Sequence, residues 1–274
     1  MAGCNGDCEH CASAEGCESK NVKAVLNDQS HIKKIICVLS GKGGVGKTFV
    51  TSSLAVYLNR AGLSVGILDA DFTGPSIPKS FGIKDKAYGE NNLIYPLESK
   101  GGIKVMSVNC LLEDETDPVV WRGPLFGGLL KQFYGDVLWG DLDVLLIDMP
   151  PGTSDMALNV FQLLPVDEMI MVTSPQDLVN LIVTKALKMS KMLNIHTLGV
   201  IENMSYLECP KCQEHISVFG ESHLEEFAKA NDLDVLARLP IKPENTKLVD
   251  MGKVESILLP EIQECVDKII KEVK

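Results

Sequence analysis

The sequence predicts an α/β fold, a mostly parallel sheet with helices on both faces. Two observations carry that reading. From Ile32 onward, apolar strand-like runs alternate with amphipathic helical stretches, the pattern of strands joined by helical crossovers. The first strand also runs through a glycine-rich turn straight into the first helix.

The first strand is Ile35–Leu39, the apolar part of a stretch from Lys33 that reads as a buried strand. The helix after the turn runs from Phe49 to Arg60 and is stopped by Gly62. Further strands follow at Ser64–Leu68, Lys104–Val108, Val144–Ile147, Met169–Val172 and Thr197–Ile201, with a shorter one at Val235–Ala237. Helical periodicity marks Val179–Leu193, His223–Asn231 and Glu261–Val273. The polar, glycine-punctuated stretch from Lys86 to Gly102 fits a hairpin insertion.

Length and charge bound the function classes. A chain of 274 residues buries a full core, so one α/β domain is expected over residues 31–274. Residues 1–30 form a separate cysteine-rich segment, and Met1 to Cys17 has almost no large apolar side chain. A net charge of −11 opposes non-specific nucleic-acid binding, because no basic face offsets phosphate repulsion. Residues 1–30 lack a basic n-region and an apolar h-region, and no apolar run spans a bilayer. The expectation is a cytoplasmic protein with no membrane partner, whose nine cysteines serve metal or redox chemistry rather than structural disulfides.

The turn Ser40-Gly41-Lys42-Gly43-Gly44-Val45-Gly46-Lys47-Thr48 satisfies the P-loop pattern and adds a second lysine, Lys42. Glycines let backbone N–H groups converge on phosphate oxygens at a helix N-terminus. Lys47 is then expected to reach the β- and γ-phosphates of a nucleoside triphosphate, and the Thr48 hydroxyl to hold Mg²⁺. The second strand ends in Asp69-Ala70-Asp71, where Asp71 fits water positioning beside a γ-phosphate; aspartates are also common in plain turns. After the fourth strand, Asp148 takes the position that supplies a carboxylate to Mg²⁺. Gly152, in Pro150-Pro151-Gly152, offers a backbone N–H to a γ-phosphate, and the loop through Asp155 fits a switch.

Together, Lys-Gly-Gly-Val-Gly-Lys-Thr, Asp-Ala-Asp and Ile-Asp-Met-Pro-Pro-Gly resemble the deviant-Walker-A P-loop ATPases, the class of the nitrogenase iron protein and the division-site ATPases. The resemblance implies two ATP molecules sandwiched between two chains, with Lys42 reaching the partner's nucleotide in trans. It implies that Asp71 positions the attacking water and that Thr48 and Asp148 govern Mg²⁺. Asn203, in Ile201-Glu202-Asn203-Met204-Ser205, matches the position that hydrogen-bonds adenine; a capping or turn role is the plainer alternative.

Directly beyond lies Cys209-Pro210-Lys211-Cys212. Two thiolates from one turn are half of what a tetrahedral zinc or a cubane cluster needs. A thioredoxin-like pair is disfavoured, because the motif does not follow the first strand of such a pattern. Zinc with His215 and His223 is one reading, and a [4Fe–4S] cluster shared by two chains is another. The second asks for the same homodimer as the nucleotide site.

An ATPase core followed by Asn-Met-Ser and C-P-x-C resembles the Mrp/ApbC branch over roughly residues 32–274. That resemblance implies a labile bridging cluster at Cys209 and Cys212, and apo iron–sulfur proteins as acceptors. Cys4-x₃-Cys8-x₂-Cys11-x₅-Cys17 supplies four thiolates in one chain, enough for a private [4Fe–4S] cluster, with zinc and His10 as the alternative. Its C-x₂-C-x₅-C ending resembles the N-terminal motif of eukaryotic-type nucleotide-binding scaffold proteins, which supports iron; the spacing from Cys4 to Cys8 departs from that motif. Cys37 and Cys265 read as buried small hydrophobes, and Cys110 has no assigned role.

Rival readings are an ATP-dependent electron-transfer or positioning ATPase with structural zinc at the cysteines. The C-x-x-C spacing opposes the first, since the nitrogenase iron protein is expected to have its ligands far apart. The mixed charge of Glu261–Lys274 opposes the second, which needs a basic amphipathic tail.

Overall fold

A computed structural model of the chain describes residues 23–72, 74–112, 123–175 and 179–273. Its first half contains β1 (His31–Ser40), α1 (Lys47–Arg60), β2 (Val65–Asp69), α2 (Ile77–Phe81), β3 (Tyr88–Glu90), β4 (Leu93–Tyr95), β5 (Leu97–Glu98) and β6 (Lys104–Met106). Next come α3 (Gly123–Gly135), β7 (Asp141–Asp148), α4 (Asp155–Leu163), β8 (Glu168–Thr173) and α5 (Val179–Met192). The chain continues through β9 (His196–Glu208), β10 (His215–Ile216), α6 (Leu224–Asn231), β11 (Val235–Ile241), α7 (Pro243–Asp250) and α8 (Gln263–Val273).

Nine strands form one sheet in the order β10-β9-β8-β1-β7-β2-β6-β5, with β11 also paired to β9. All neighbours are parallel except the short β5 and β10. Strand β1 sits between β7 and β8, and α1 carries the chain over β7 to reach β2. The connection from β1 thus runs one way, over β7 to β2, and that from β7 runs the other way, over β1 to β8, which opens a crevice beyond the carboxyl ends of these two strands.

Alternation along β1 divides the interior into two cores. Ile35, Cys37 and Leu39 pack with Phe126, Phe133 and Phe161 of α3 and α4. Ile36 and Val38 pack with Leu54 and Leu58 of α1 and with Val266 and Ile269 of α8. Helices thus cover both faces, as the sequence predicts. Cys37 and Cys265 are buried in these cores, where burial pushes both thiols up, Cys265 to about 12.

The largest departure from the sequence reading is β9. Expected to end at Ile201, it continues to Glu208 because β11 pairs with it as far as Ile241 opposite Leu207. The polar run Glu202–Ser205 disguises this length. Its polar groups are satisfied inside: the Ser205 and Ser222 hydroxyls both donate to the buried Glu202 carboxylate, at 2.5 and 2.6 Å. Asn203 therefore lies in a strand and not in a loop. The third expected strand stops at Met106, where Val108–Cys110 turns into a 3₁₀ helix. The insertion is a hairpin of β3 and β4 around Asn91 and Asn92, both at positive φ. Helices α2, α3, α4 and α7 were not foreseen, and α8 starts after a 3₁₀ turn at Pro260–Ile262.

Candidate functional site

The glycine-rich turn lies in the crevice beyond β1, and α1 begins at Lys47. Gly46 caps that helix at φ 80°, a left-handed conformation. A Cβ at this position would overlap Asn203 Nδ2, so the turn needs glycine for both reasons. At Gly43 and Gly44 a Cβ would meet no atom within 4 Å, so the outer rim of the turn is open.

Lys47, only 6% exposed, points at the carboxyl ends of β7 and β2. Its Nζ lies 2.8 Å from Asp148 Oδ1 and 3.8 Å from Asp71 Oδ2. Nζ is thus ion-paired with Asp148 but makes no further hydrogen bond among the described residues, so the buried ammonium keeps donors for another acceptor. Asp148 is held by Thr48 and Thr51, whose hydroxyls donate to its two oxygens at 2.8 and 2.7 Å. Asp69, the strand neighbour of Asp148, accepts from the Asp71 and Ile77 amides and the Ser107 hydroxyl. Burial first, then the carboxylate of Asp148 and more weakly that of Asp71, push the Asp69 carboxyl up to about 8, against the pull of Lys47. Asp148 and Asp71 thus outweigh the single charge of Lys47, while Asp69 beside them holds its proton, and a cation at Asp148 would relieve that imbalance.

Lys42 is half-buried, and its carbonyl accepts from Ser40 Oγ at 3.0 Å. Gly41 and Val45 complete the turn. The Gly152 amide donates to Ser40 O at 2.8 Å, which seats the Pro-Pro-Gly segment on the base of the turn. Gly152 has φ 81°. Lys42, Lys47, Thr48, Asp71, Asp148 and Gly152 are therefore gathered around one crevice.

Asn203 is brought there too, but by an unexpected bond: its Nδ2 donates to Val45 O at 2.9 Å. It also lines a cavity of about 360 Å³ with Gly46, Phe49, Met204, Phe219 and Asn245. The Nδ2 atom of Asn245 is buried with no hydrogen-bond partner among the described residues. The sequence reading missed Asn245 and Phe49. The available signal was Pro243-Glu244-Asn245, a proline-led helix start on the chain leaving β11.

Cys209 and Cys212 stand at the tip of the β9–β10 hairpin. The turn is closed by Cys209 N to Glu214 O and Gln213 N to Cys209 O, both 2.9 Å. Cys212 is exposed and Cys209 partly so. Backbone amides of Lys211 and Cys212, and then the Cys212 thiol, lower the Cys209 pKa. His215 stacks on Tyr206 with ring centroids 3.9 Å apart, while His223 lies 3.7 Å from Glu226. Among the described residues, no three His, Cys, Asp or Glu side chains are gathered for a metal ion, so the zinc set with His215 and His223 is not assembled. Cys4, Cys8, Cys11 and Cys17 lie outside the described residues, as does His10. No helix among the described residues is long and apolar enough to cross a membrane.

The family described as NUBPL iron-transfer P-loop NTPase matches residues 31–274. An iron-sulfur cluster carrier protein of Clostridium perfringens is 43% identical over 267 residues, covering 91% of this chain and 94% of its own. The cytosolic Fe-S cluster assembly factor CFD1 of Candida albicans is 38% identical over 254 residues, covering 85% and 86%. A nucleotide-binding protein of Archaeoglobus fulgidus, solved with ADP, superposes with a TM-score of 0.75 at 42% identity, over 82% of this chain and 88% of that one.

Proposed function

The chain belongs to the NUBPL iron-transfer P-loop NTPase family, and on that premise we propose that it is an ATP-hydrolysing carrier of [4Fe–4S] clusters, working as a homodimer in the cytoplasm. The observation that carries the reading is β9 itself. One strand is bonded to the phosphate turn at Asn203 and leads directly into the turn that carries Cys209, partly exposed, and Cys212, exposed. The names of the Clostridium and Candida relatives support the cargo, and the second also supports the compartment.

Mg–ATP lies along the turn Gly41–Thr48 in this reading. Lys47, ion-paired with Asp148 and with donors to spare, binds the phosphates. Thr48 and Asp148 hold Mg²⁺, which neutralises charge on the β- and γ-phosphates when bound. Asp71, near Lys47 Nζ, orients the attacking water. Asn203, fixed through Nδ2, keeps Oδ1 to accept from an adenine amine, and the unpartnered Nδ2 of Asn245 donates to the ring. Lys42 acts on the nucleotide of the partner chain. Gly152 reads the γ-phosphate by releasing Ser40 O, so its N–H alternates between two acceptors.

Cluster cargo sits between two chains, each giving Cys209 and Cys212, since four thiolates complete a [4Fe–4S] cluster. Hydrolysis moves the switch segments at Asp71 and 148–155, changes the dimer geometry and releases cargo to apo iron–sulfur proteins. The Cys4, Cys8, Cys11 and Cys17 segment holds a second, private cluster in the same reading. The test is cluster transfer from the loaded protein to an apo-acceptor with ATP, with ADP and with Lys47→Ala. Faster transfer with ATP in the native chain alone supports the coupling, and equal rates in all three conditions refute it.

A further inference from the structure

The segment after the thiol pair turns back towards the nucleotide cavity. Beyond β10 the chain runs Ser217-Val218-Phe219-Gly220, closed as a turn by Gly220 N to Ser217 O at 3.3 Å, with Gly220 at φ 90°. Val218 and Phe219 are large apolar residues left 49% and 41% exposed. Phe219 nonetheless lines the cavity next to Gly46, Asn203 and Met204. A half-exposed aromatic ring at the mouth of an apolar cavity lacks the partner that would bury its free face.

The thiol turn is thus attached to the cavity on both sides. Upstream, Cys209 lies six positions beyond Asn203, about 20 Å of extended chain at ~3.3 Å per residue. Downstream, Phe219 lies seven positions beyond Cys212. Two pairings couple the arms: Tyr206 stacks on His215, and the Ser222 hydroxyl reaches back to Glu202 on β9. Met204 sits between them at φ 57°, a left-handed bend in the strand beside the cavity.

We propose that Phe219 is a positioning residue that rests on a bound nucleobase and thereby sets the conformation of the Cys209–Cys212 turn. The inference rests on the nucleotide reading above and adds that the base, and not only the γ-phosphate, is sensed by the thiols. A base entering the cavity buries the free face of the ring and orders the return arm. Linkage makes the coupling reciprocal, so any ligand that fixes the thiol turn tightens nucleotide binding by the same factor.

The experiment uses the full chain, reduced and free of metal, under argon. Alkylation of Cys209 and Cys212 by N-ethylmaleimide is followed by peptide mass spectrometry, which separates them from the other cysteines. Ligands are a non-hydrolysable ATP analogue or tripolyphosphate, each with Mg²⁺, with binding measured in parallel by calorimetry. The analogue is expected to slow alkylation at least about fivefold, the low end of coupling between sites, and tripolyphosphate to leave it unchanged. Phe219→Ala should abolish the effect and Phe219→Tyr should retain it. Equal protection by tripolyphosphate, or full protection in Phe219→Ala, overturns the proposal. An analogue that binds the native chain without slowing alkylation overturns the coupling alone. An analogue that does not bind at all overturns the nucleotide reading and the coupling with it.

Discussion

Asn203 Nδ2 donates to the main-chain oxygen of Val45 across 2.9 Å, so the strand that leads to Cys209 is fastened to the phosphate turn. The bond is buried, with Asn203 only 4% exposed. Asn203→Ala strands the Val45 carbonyl, at a cost of about 1–2 kcal/mol. ATP affinity measured by calorimetry is expected to fall about five- to thirtyfold. An unchanged affinity would show that this tie does not shape the nucleotide site.

Most of the parallel sheet is legible in the sequence because its strands are nearly continuous apolar runs. Ile35–Leu39 and Met169–Val172 need no tertiary information. The second half of β9 is hidden because Glu202, Asn203 and Ser205 read as a polar loop until Ser222 and Val45 are seen to pair with them. The P-loop residues are legible for the same local reason that makes them a motif, since strand, turn and helix are contiguous. Asn245 is not legible: what marks it is an unpartnered amide in a cavity built by distant segments.

Lys42 and Lys47 are expected to separate binding from turnover. Lys47→Ala removes the buried ammonium and should lose ATP binding and hydrolysis together. Lys42→Ala should bind ATP normally while hydrolysis falls by about 10³-fold or more, as for other cations supplied in trans. Calorimetry and phosphate release measure the two properties. Native hydrolysis and native cluster transfer in Lys42→Ala would refute the trans role.

Gly152 is expected to tolerate a methyl group sterically but not conformationally. A Cβ there would meet only Gly41 O, at 3.7 Å, yet φ is 81°. Gly152→Ala should destabilise the chain by roughly 1–2 kcal/mol, because a left-handed backbone disfavours a side chain. Hydrolysis should slow more than ATP binding weakens. Urea unfolding with phosphate release checks both, and native values would mean that the Pro-Pro-Gly segment is not a switch.

At the opposite end of β8, Glu168 is 8% exposed and lies among Lys34 at 3.1 Å, His196 at 3.2 Å and the carboxylate of Glu272 on α8. Burial first, then the hydrogen bond with Glu272, raise the Glu168 pKa despite Lys34. The folded state therefore keeps a proton that the unfolded chain loses, and this stability drains away as pH rises through the folded pKa. Glu168→Gln fixes the neutral form. The variant should gain stability relative to the native chain as pH rises from the ordinary glutamate value of about 4.3 through the raised folded one. Urea midpoints at several pH values read this directly, and a pH-independent difference would refute it.

The most direct test of a shared cluster at Cys209 and Cys212 is iron, zinc and acid-labile sulfide per chain, with oligomer mass, on protein reconstituted without oxygen. Cys209→Ser/Cys212→Ser is measured beside it. About six irons per native chain, four private and two from a shared cluster, are expected. The double variant should lose about two irons and dimerise more weakly. Stoichiometric zinc without sulfide, or an unchanged iron count in the double variant, would contradict a bridging cluster.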